Sequence, residues 1–325
     1  MGPFARLLLG CSVAAALLAG LASPAAADLP DILAPSYNPD DPYQLPDAPA
    51  PPTLPDLTHR ALLVSLDSTM GRVVPNANAD GTKPAPIGVW LERLELETAV
   101  SNRRWYVGVS EEVAGGSNTG DKSASVVASN PEVWGRALWA SRAGLAYGGG
   151  LGIVPPLVRH APDSEAAAVQ SNVRIIRPWA FPQFADRLLT FRPFVDVRGI
   201  DGPMMVQLRQ GIDISGKTSD VASLTPDTSL TSRTMLYLGY RPLEELGIGL
   251  ELTEVYFIKA AGVAENQRAV FTVSPSLRWM TKIVQPALSM IFPIDRPLFN
   301  AARSFWAVQL SIGVILDPSP PRSIW

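Results

Sequence analysis

The chain contains only two histidines and one cysteine, the side chains that most often bind transition metals or take part in catalysis. Cys11 lies in the first 27 residues, so a chain cleaved after residue 27 would contain neither a disulfide nor a thiolate metal site. No phosphate-binding loop, Cys/His metal set or haem motif occurs. We therefore expect no cofactor, no metal and no enzymatic activity.

Long hydrophobic runs are missing as well. After residue 30, no apolar run reaches the about 18 residues that suggest a membrane-spanning helix. Yet only 18% of the residues are charged, and 47% are hydrophobic. High apolar content without long runs is typical of strands in which apolar and polar residues alternate. No basic patch is present, which argues against nucleic acid as a partner.

Residues 188–215 show this alternation most clearly, as two stretches joined by a tight turn at 200–203. A period of two places the apolar side chains on one face of a sheet and the charged ones on the other. Phe194 is the exception. Each stretch is about 11 residues long, which suits a tilted strand that crosses the hydrocarbon layer. The apolar faces comprise Leu189, Phe191, Pro193, Val195, Val197, Met204, Val206, Leu208, Ile212 and Ile214. The pair is predicted to form an antiparallel hairpin.

The same pattern predicts an all-β fold, a transmembrane antiparallel up-and-down β-barrel of about twelve strands. Long connections (71–85, 114–131, 158–186, 215–231, 259–267 and 295–303) alternate with short ones. Outer-membrane barrels have short periplasmic turns and long external loops, and an even strand count. The strands are predicted near 60–70, 86–99, 104–113, 132–142, 144–157, 187–199, 203–214, 232–241, 246–258, 268–280, 284–294 and 304–316.

Aromatic residues are predicted to form two girdles at the membrane interfaces. One set lies beside short turns: Trp105, Tyr106, Tyr240 and Trp279. The other lies beside long loops: Trp90, Trp134, Tyr256 and Trp306. Glu92 and Glu254 interrupt the apolar faces of their strands, which suggests a bulge or a departure from the membrane at each.

In pattern, though not in any diagnostic motif, residues 58–316 resemble a Gram-negative outer-membrane β-barrel of the porin-like or general transporter kind. The resemblance implies contact with outer-membrane lipid and lipopolysaccharide, and insertion by the barrel-assembly machinery. In that class the machinery reads the last strand, usually with a terminal aromatic. Here these would be 305–316 and Trp325, although the proline-rich tail between them departs from the usual form.

Four segments are predicted. Residues 1–27 have the charged start, apolar core and small-residue cleavage site of a signal peptide, which implies export to the cell outer membrane. Residues 28–57 are rich in proline and aspartate, so we predict a disordered periplasmic leader, with a periplasmic partner as an alternative role. Residues 58–316 form the barrel, and 317–325 form a C-terminal tail.

Strand parity also predicts which side chains point into the lumen. A barrel of this width is too wide for side chains alone to fill. Mixed charges on the wall would give a transverse field with mild ion preference, or would pair and fill a closed lumen. Asp196 is predicted to reach Arg209 diagonally across the hairpin. The pore-lining candidates are Arg93, Glu95, Glu97, Arg192, Asp196, Arg198, Gln207, Arg209, Asp213, Arg241, Glu251 and Arg278.

The longest connection, 158–186, is predicted to begin with a short helix over 162–170 that Asp163 or Ser164 caps. An apolar stretch follows, and an apolar loop of this length is better accommodated in a barrel mouth than in water. Two interpretations remain open, a constriction or plug and an external cap or partner surface. The candidates for the first are Glu165, Trp179, Phe181 and Phe184.

Passive passage of small solutes is the function that the sequence favours, because charged side chains line a wide barrel. One alternative is a non-conducting barrel that anchors partners through its leader and long loops. A lipid-modifying enzyme is a weaker alternative, because its base would have to be His59 or His160. His160 lies too close in sequence to Asp163 and Ser164 for a convincing triad.

Overall fold

The computed structural model describes residues 62–78, 80–101, 105–118, 124–140, 145–160, 164–219, 228–243, 245–259, 264–280, 284–294 and 301–316. The predicted signal peptide, leader and tail, with His59, Asp163 and Trp325, lie outside these residues. In the described part of the chain, no helix has the length and apolar character to cross a bilayer.

Strands account for most of the described residues. They are β1 Leu62–Pro75, β2 Ile87–Ser101, β3 Trp105–Asn118, β4 Ala124–Ala128, β5 Glu132–Ala140, β6 Leu145–Val154, β7 Leu188–Asp201, β8 Met204–Lys217, β9 Thr228–Leu243, β10 Leu246–Lys259, β11 Ala269–Trp279, β12 Val284–Pro293 and β13 Ala302–Leu316. The helix α1 spans Glu165–Ile176, and 3₁₀ turns span Pro178–Ala180 and Glu265–Gln267.

Antiparallel pairing runs around the whole sheet and closes where β1 pairs with β13. The strands β4 and β5 pair with the two ends of the same strand, β3, so together they occupy one position in the wall. The result is a closed barrel of twelve strand positions, which confirms the predicted fold class and strand count.

Several strands are longer than predicted. The strand β1 continues to Pro75, β3 continues to Asn118, and the separate strand β4 lies inside the predicted connection 114–131. Those predicted loop boundaries were wrong. The alternation that marks a strand fades where Gly115 and Gly116 occupy both faces, while backbone pairing to β4 continues through them. Backbone hydrogen bonds need no particular side chain, so periodicity underestimates strand length at such ends.

The outward face is the apolar one, and its large side chains are exposed. Trp105, Tyr240 and Trp279 lie near the short turns, and Trp90 and Trp306 lie near the long connections. The prediction was wrong for two girdle residues, which are buried and turned into the lumen: Tyr106 and Trp134. Arg136 stacks over the Tyr106 ring at 5.1 Å, and Trp134 Nε1 donates to Glu97 Oε2 at 3.2 Å. Polar partners inside the barrel therefore decide the orientation of both rings.

Glycines on the inner wall allow large rings to lie flat against neighbouring strands. At Gly150, opposite Phe194 in the β6–β7 register, an added Cβ would lie 2.7 Å from Phe194 Cζ and would overlap the Gly135 carbonyl oxygen. Backbone cannot move aside as a flexible side chain can. The close approach of the ring therefore requires glycine at this position.

We therefore expect Gly150→Ala to lower the free energy of unfolding by about 1–3 kcal/mol, the usual cost of overpacking. Urea unfolding of the refolded barrel, followed by intrinsic fluorescence, measures this change. Gly216→Ala is the matched control, because a Cβ at Gly216 meets no atom within 4 Å. Equal losses in the two variants would contradict the steric argument.

Candidate functional site: a charged and plugged lumen

All twelve predicted pore-lining residues lie on the inner side of the wall. Eight are buried, and the other four are half-buried: Arg93, Arg209, Arg241 and Arg278. Gln207, at 0% exposure, and Arg198, at 2%, have almost no contact with solvent. An inward side chain in a wide, water-filled barrel would be exposed to lumen water, so this level of the lumen is packed rather than open.

The hairpin register differs from the predicted one by two residues. The turn consists of Gly202 and Pro203, with Gly202 at a φ of +53°, and Asp201 pairs with Met204. Asp196 therefore lies directly opposite Arg209, and the diagonal prediction was wrong. The Arg209 Nε and Nη2 atoms donate to Asp196 at 2.7 and 2.8 Å. This two-point geometry is the strong form of an arginine–carboxylate pair.

Arg192 on β7 is the centre of one group of ion pairs. Its Nη1 donates to Glu132 Oε2 at 2.5 Å, its Nε to Asp213 Oδ1 at 3.1 Å, and its Nη2 to the Trp179 carbonyl oxygen at 2.8 Å. Arg233 on β9 also donates to Asp213, at 2.8 Å. These contacts connect four wall strands, β5, β7, β8 and β9, to the long connection 158–186.

A second group lies on β1 to β3. Arg93 bridges to Asp67 at 3.2 Å and to Glu112 at 3.4 Å, and it also pairs with Glu95. Glu112 accepts a further bond, 3.3 Å long, from Arg177 of the long connection. In both groups opposite charges pair on adjoining strands, and an arginine or a carbonyl of the connection completes each group.

The wall formed by β10 to β13 is mostly uncharged. Glu251 and Arg278 are its charged inward residues in the described chain, and the other buried residues divide between hydroxyl or amide side chains and apolar side chains, most of which belong to the apolar core. The buried uncharged polar side chains are Thr253, Thr272, Ser274, Gln285, Ser289, Gln309 and Ser311. The inner surface is therefore divided into an ion-paired part and an uncharged part.

The connection 158–186 folds into the lumen. Its helix α1 begins after Ser164, whose hydroxyl accepts from the Ala167 N–H at 3.2 Å, which confirms the predicted cap. The helix ends at Ile176 rather than near 170, because its last turn is apolar and packs against the wall. We call residues 164–187 the plug segment. Its contacts run to β1, β2, β3, β4 and β13 on one side and to β10 on the other.

Three of the four predicted constriction residues lie inside the barrel. Trp179, Phe181 and Phe184 are buried in a cluster with inward apolar residues from most of the strands. Phe181 meets Phe257 of β10 edge-on, with ring centroids 5.4 Å apart. Glu165 is exposed in the first turn of α1. The plug segment thus fills the lumen above the ion pairs with apolar side chains.

Asn130 fastens the plug segment to the wall. It lies in the break between β4 and β5 and is completely buried. Its Nδ2 donates to the Ala185 carbonyl at 2.7 Å and to the Pro182 carbonyl at 3.3 Å. Its Oδ1 accepts from the Val158 N–H at 2.7 Å. One amide side chain therefore holds the chain both where it leaves β6 and where it returns to β7.

Sequence reasoning missed several residues of this site. Asp67 and Glu112 lie on predicted strands for which no inward residue was assigned, and in the structure each lies directly opposite Arg93 on a neighbouring strand. Glu132 and Arg233 lie at ends of predicted strands, where parity is least certain. Asn130 gave no signal, because it lies in a predicted loop without periodicity.

The residues of the enzyme alternative have structural roles where they are described. The Ser164 hydroxyl caps α1, and the His160 backbone N–H donates to Asp186 Oδ1 at 3.1 Å. Asp163 lies outside the described residues.

Comparison with known proteins supports the fold. No protein-family model matches the chain, and no curated protein matches its sequence. The structure is similar to an outer membrane channel from Pseudomonas putida F1, with a TM-score of 0.61 and 10% identity, over 82% of this chain and 99% of that one. It is also similar to the NanC porin, with a TM-score of 0.50 and 12% identity, over 77% and 100% of the two chains. These similarities confirm a barrel of the outer-membrane, porin-like kind.

Proposed function

We propose that this protein is a gated channel of the outer membrane, in which the plug segment closes the lumen until it is displaced. The observation that carries the proposal is the way the plug segment is held. It joins the wall through apolar packing, side-chain hydrogen bonds and isolated backbone bonds such as that from the Asn130 N–H to the Gln183 carbonyl at 2.7 Å, whereas neighbouring wall strands are joined by ladders of backbone pairs. A segment held in this way can move while the barrel remains closed around it.

The two halves of the lumen suggest what would pass. With the plug segment displaced, a solute would meet arginine–carboxylate pairs on one side and a mixture of hydroxyl, amide and apolar groups on the other. Such a surface suits small hydrophilic or amphiphilic solutes and favours neither ion sign strongly. Under this proposal lipid and lipopolysaccharide surround the outward face, the assembly machinery inserts the barrel, and the leader 28–57 extends into the periplasm.

A reversible lock on the plug segment tests the proposal. A Cβ at Gly116 would lie 3.3 Å from Val169 Cγ2, so cysteines at these positions have the spacing for a disulfide between β3 and α1. In planar bilayers we expect the wild-type protein to open in steps. The oxidised Gly116→Cys, Val169→Cys double variant should stay closed, and a reductant should restore its openings. The two single variants control for each substitution.

Two other outcomes would contradict gating by the plug segment. Openings of equal size and frequency in the oxidised double variant would show that the plug segment is not the gate. Silence of the wild-type and reduced proteins at every salt concentration would instead support a non-conducting barrel that anchors partners, an alternative that the packed lumen favours. Deletion of 28–57 would then be expected to abolish partner pull-down.

A further inference from the structure

Arg174 in the last turn of α1 is buried without a counter-ion. It is 9% exposed, and its Nε and Nη2 donate to the Gln170 carbonyl at 3.4 Å and to Ser171 Oγ at 3.2 Å. Its guanidinium lies 4.9 Å from the Phe181 ring centroid. Within the described part of the chain no carboxylate pairs with it, in contrast to Arg93, Arg192 and Arg209.

A buried charge without a partner is costly, because the water that it loses is not replaced. Burial lowers the pKa of the Arg174 guanidinium to about 10. That pKa still leaves the group protonated at neutral pH. The plug segment therefore holds a full positive charge that no carboxylate of the described residues balances, and a protein gains nothing in stability from such a charge.

Gln170 lies beside it with an unsatisfied donor. The residue is 3% exposed, and its Nε2 has no hydrogen-bond acceptor in the described structure. Because it precedes Arg174 by four positions, both side chains lie on the same side of α1. A buried amide hydrogen without an acceptor is costly, and here it adjoins a buried charge without a counter-ion, so the pair calls for an explanation.

The two donors lie on a different side of α1 from the residues that meet β1 and β3. Val169 and Ile176 point towards the wall, against Gly116 of β3 and Gly71 of β1. Helical geometry turns Gln170 and Arg174 about 100–140° away from that side. Arg174 stacks on Phe181, which in turn contacts Phe257 of β10. The donors thus lie between α1 and the β10 side of the barrel.

We propose that Gln170 and Arg174 form a binding site for an oxyanion, the carboxylate or phosphate group of a small solute that enters the lumen. A guanidinium presents paired N–H donors that match two oxygens of either group, and the Gln170 amide adds a third donor. The Phe181 ring holds the guanidinium plane from one side. This site is part of the plug segment, but its existence does not rest on the gating proposal.

Calorimetric titration of the refolded full-length barrel in detergent tests the site with two probes, inorganic phosphate and acetate, at constant ionic strength in chloride. We expect the wild-type protein to bind at least one probe saturably. Arg174→Gln should weaken binding by about 10–100-fold, the loss that one charge-assisted hydrogen bond explains. Gln170→Leu should weaken it by a few-fold, and Arg174→Lys should fall between, because lysine keeps the charge but loses the planar fork.

Arg72→Gln is the control, since it removes the same charge from an exposed position on β1 and should leave affinity unchanged. Phosphate preferred over acetate would indicate a phosphorylated solute, and the reverse a carboxylic acid. A wild-type protein that binds neither probe, or an Arg174→Gln variant with wild-type affinity, would overturn the proposal. If Arg174 had only a structural role, Arg174→Gln would lower the melting temperature equally with and without the anions. The titration measures anion binding and not channel opening, so a negative result would not contradict the gating proposal.

Discussion

Replacing Asn130 with alanine is expected to release the plug segment and raise the open probability of the channel. The substitution removes three hydrogen bonds made by a fully buried amide, two of them 2.7 Å long. Two of the three bonds hold the plug segment, so at about 1 kcal/mol each its docking would weaken by roughly 2 kcal/mol. Since about 1.4 kcal/mol changes an equilibrium constant tenfold, the undocked fraction would rise about thirtyfold.

Single-channel recording in planar bilayers measures this change directly. The wall itself should survive, because the Asn130 side chain bonds to the connection between β6 and β7 and not to a neighbouring strand. Asn172→Ala supplies the matched control, as it makes the same chemical change at a half-buried position on α1. If channels carrying Asn130→Ala and Asn172→Ala open equally often, the amide of Asn130 does not hold the plug segment in place.

Arg192→Met is expected to cause the largest loss of stability in the barrel. The arginine is 3% exposed, and it is bonded to Glu132, Asp213 and the Trp179 carbonyl. Methionine fills a similar volume but leaves a surplus of buried negative charge. Removing one partner from a buried ion pair typically costs about 3–5 kcal/mol. Urea unfolding with folded and unfolded forms separated by gel mobility measures the loss.

Arg187→Met gives the appropriate comparison. Arg187 pairs with Asp186 at 3.4 Å, and its side chain is 21% exposed, so water shields the charges when the pair is lost. We expect that variant to lose less than about 1 kcal/mol. Arg192→Lys should fall between the two, because a single ammonium cannot reach all three acceptors. A loss for Arg192→Met as small as that for Arg187→Met would mean that lumen water already solvates Glu132 and Asp213.

The barrel could be predicted from the sequence because strand parity is a local property. Alternation along residues 189–197 is visible without knowing which strand lies beside them. The register of the hairpin is harder to predict, because it depends on the length of the turn. The turn contains only Gly202 and Pro203, so Asp196 lies directly opposite Arg209 and not diagonal to it. Side-chain period alone permits both registers, because a shift of two keeps every residue on its face.

The site was less predictable than the wall for a related reason. Tyr106 was assigned to a girdle because it follows Trp105, yet neighbours in a strand face opposite ways, and parity should have outweighed position along the chain. Asn130 and Glu132 could not be connected to the plug segment, because about fifty residues separate them from Pro182 and Gln183. Contacts across such distances follow from the closed three-dimensional path of the chain and not from any local pattern.

The break between β4 and β5 makes one position of the wall responsive to what happens inside it. The strand β3 pairs with β4 towards one end and with β5 towards the other, and between them Ser129 still bonds to Glu112 of β3 while the Asn130 N–H donates to the Gln183 carbonyl of the plug segment at 2.7 Å. Displacing the plug segment would therefore break a backbone hydrogen bond at this seam. Hydrogen exchange of the Asn130 amide would then report motion of the interior from the outside of the barrel. The break between β4 and β5 is therefore the part of the wall whose hydrogen exchange would depend on the position of the plug segment.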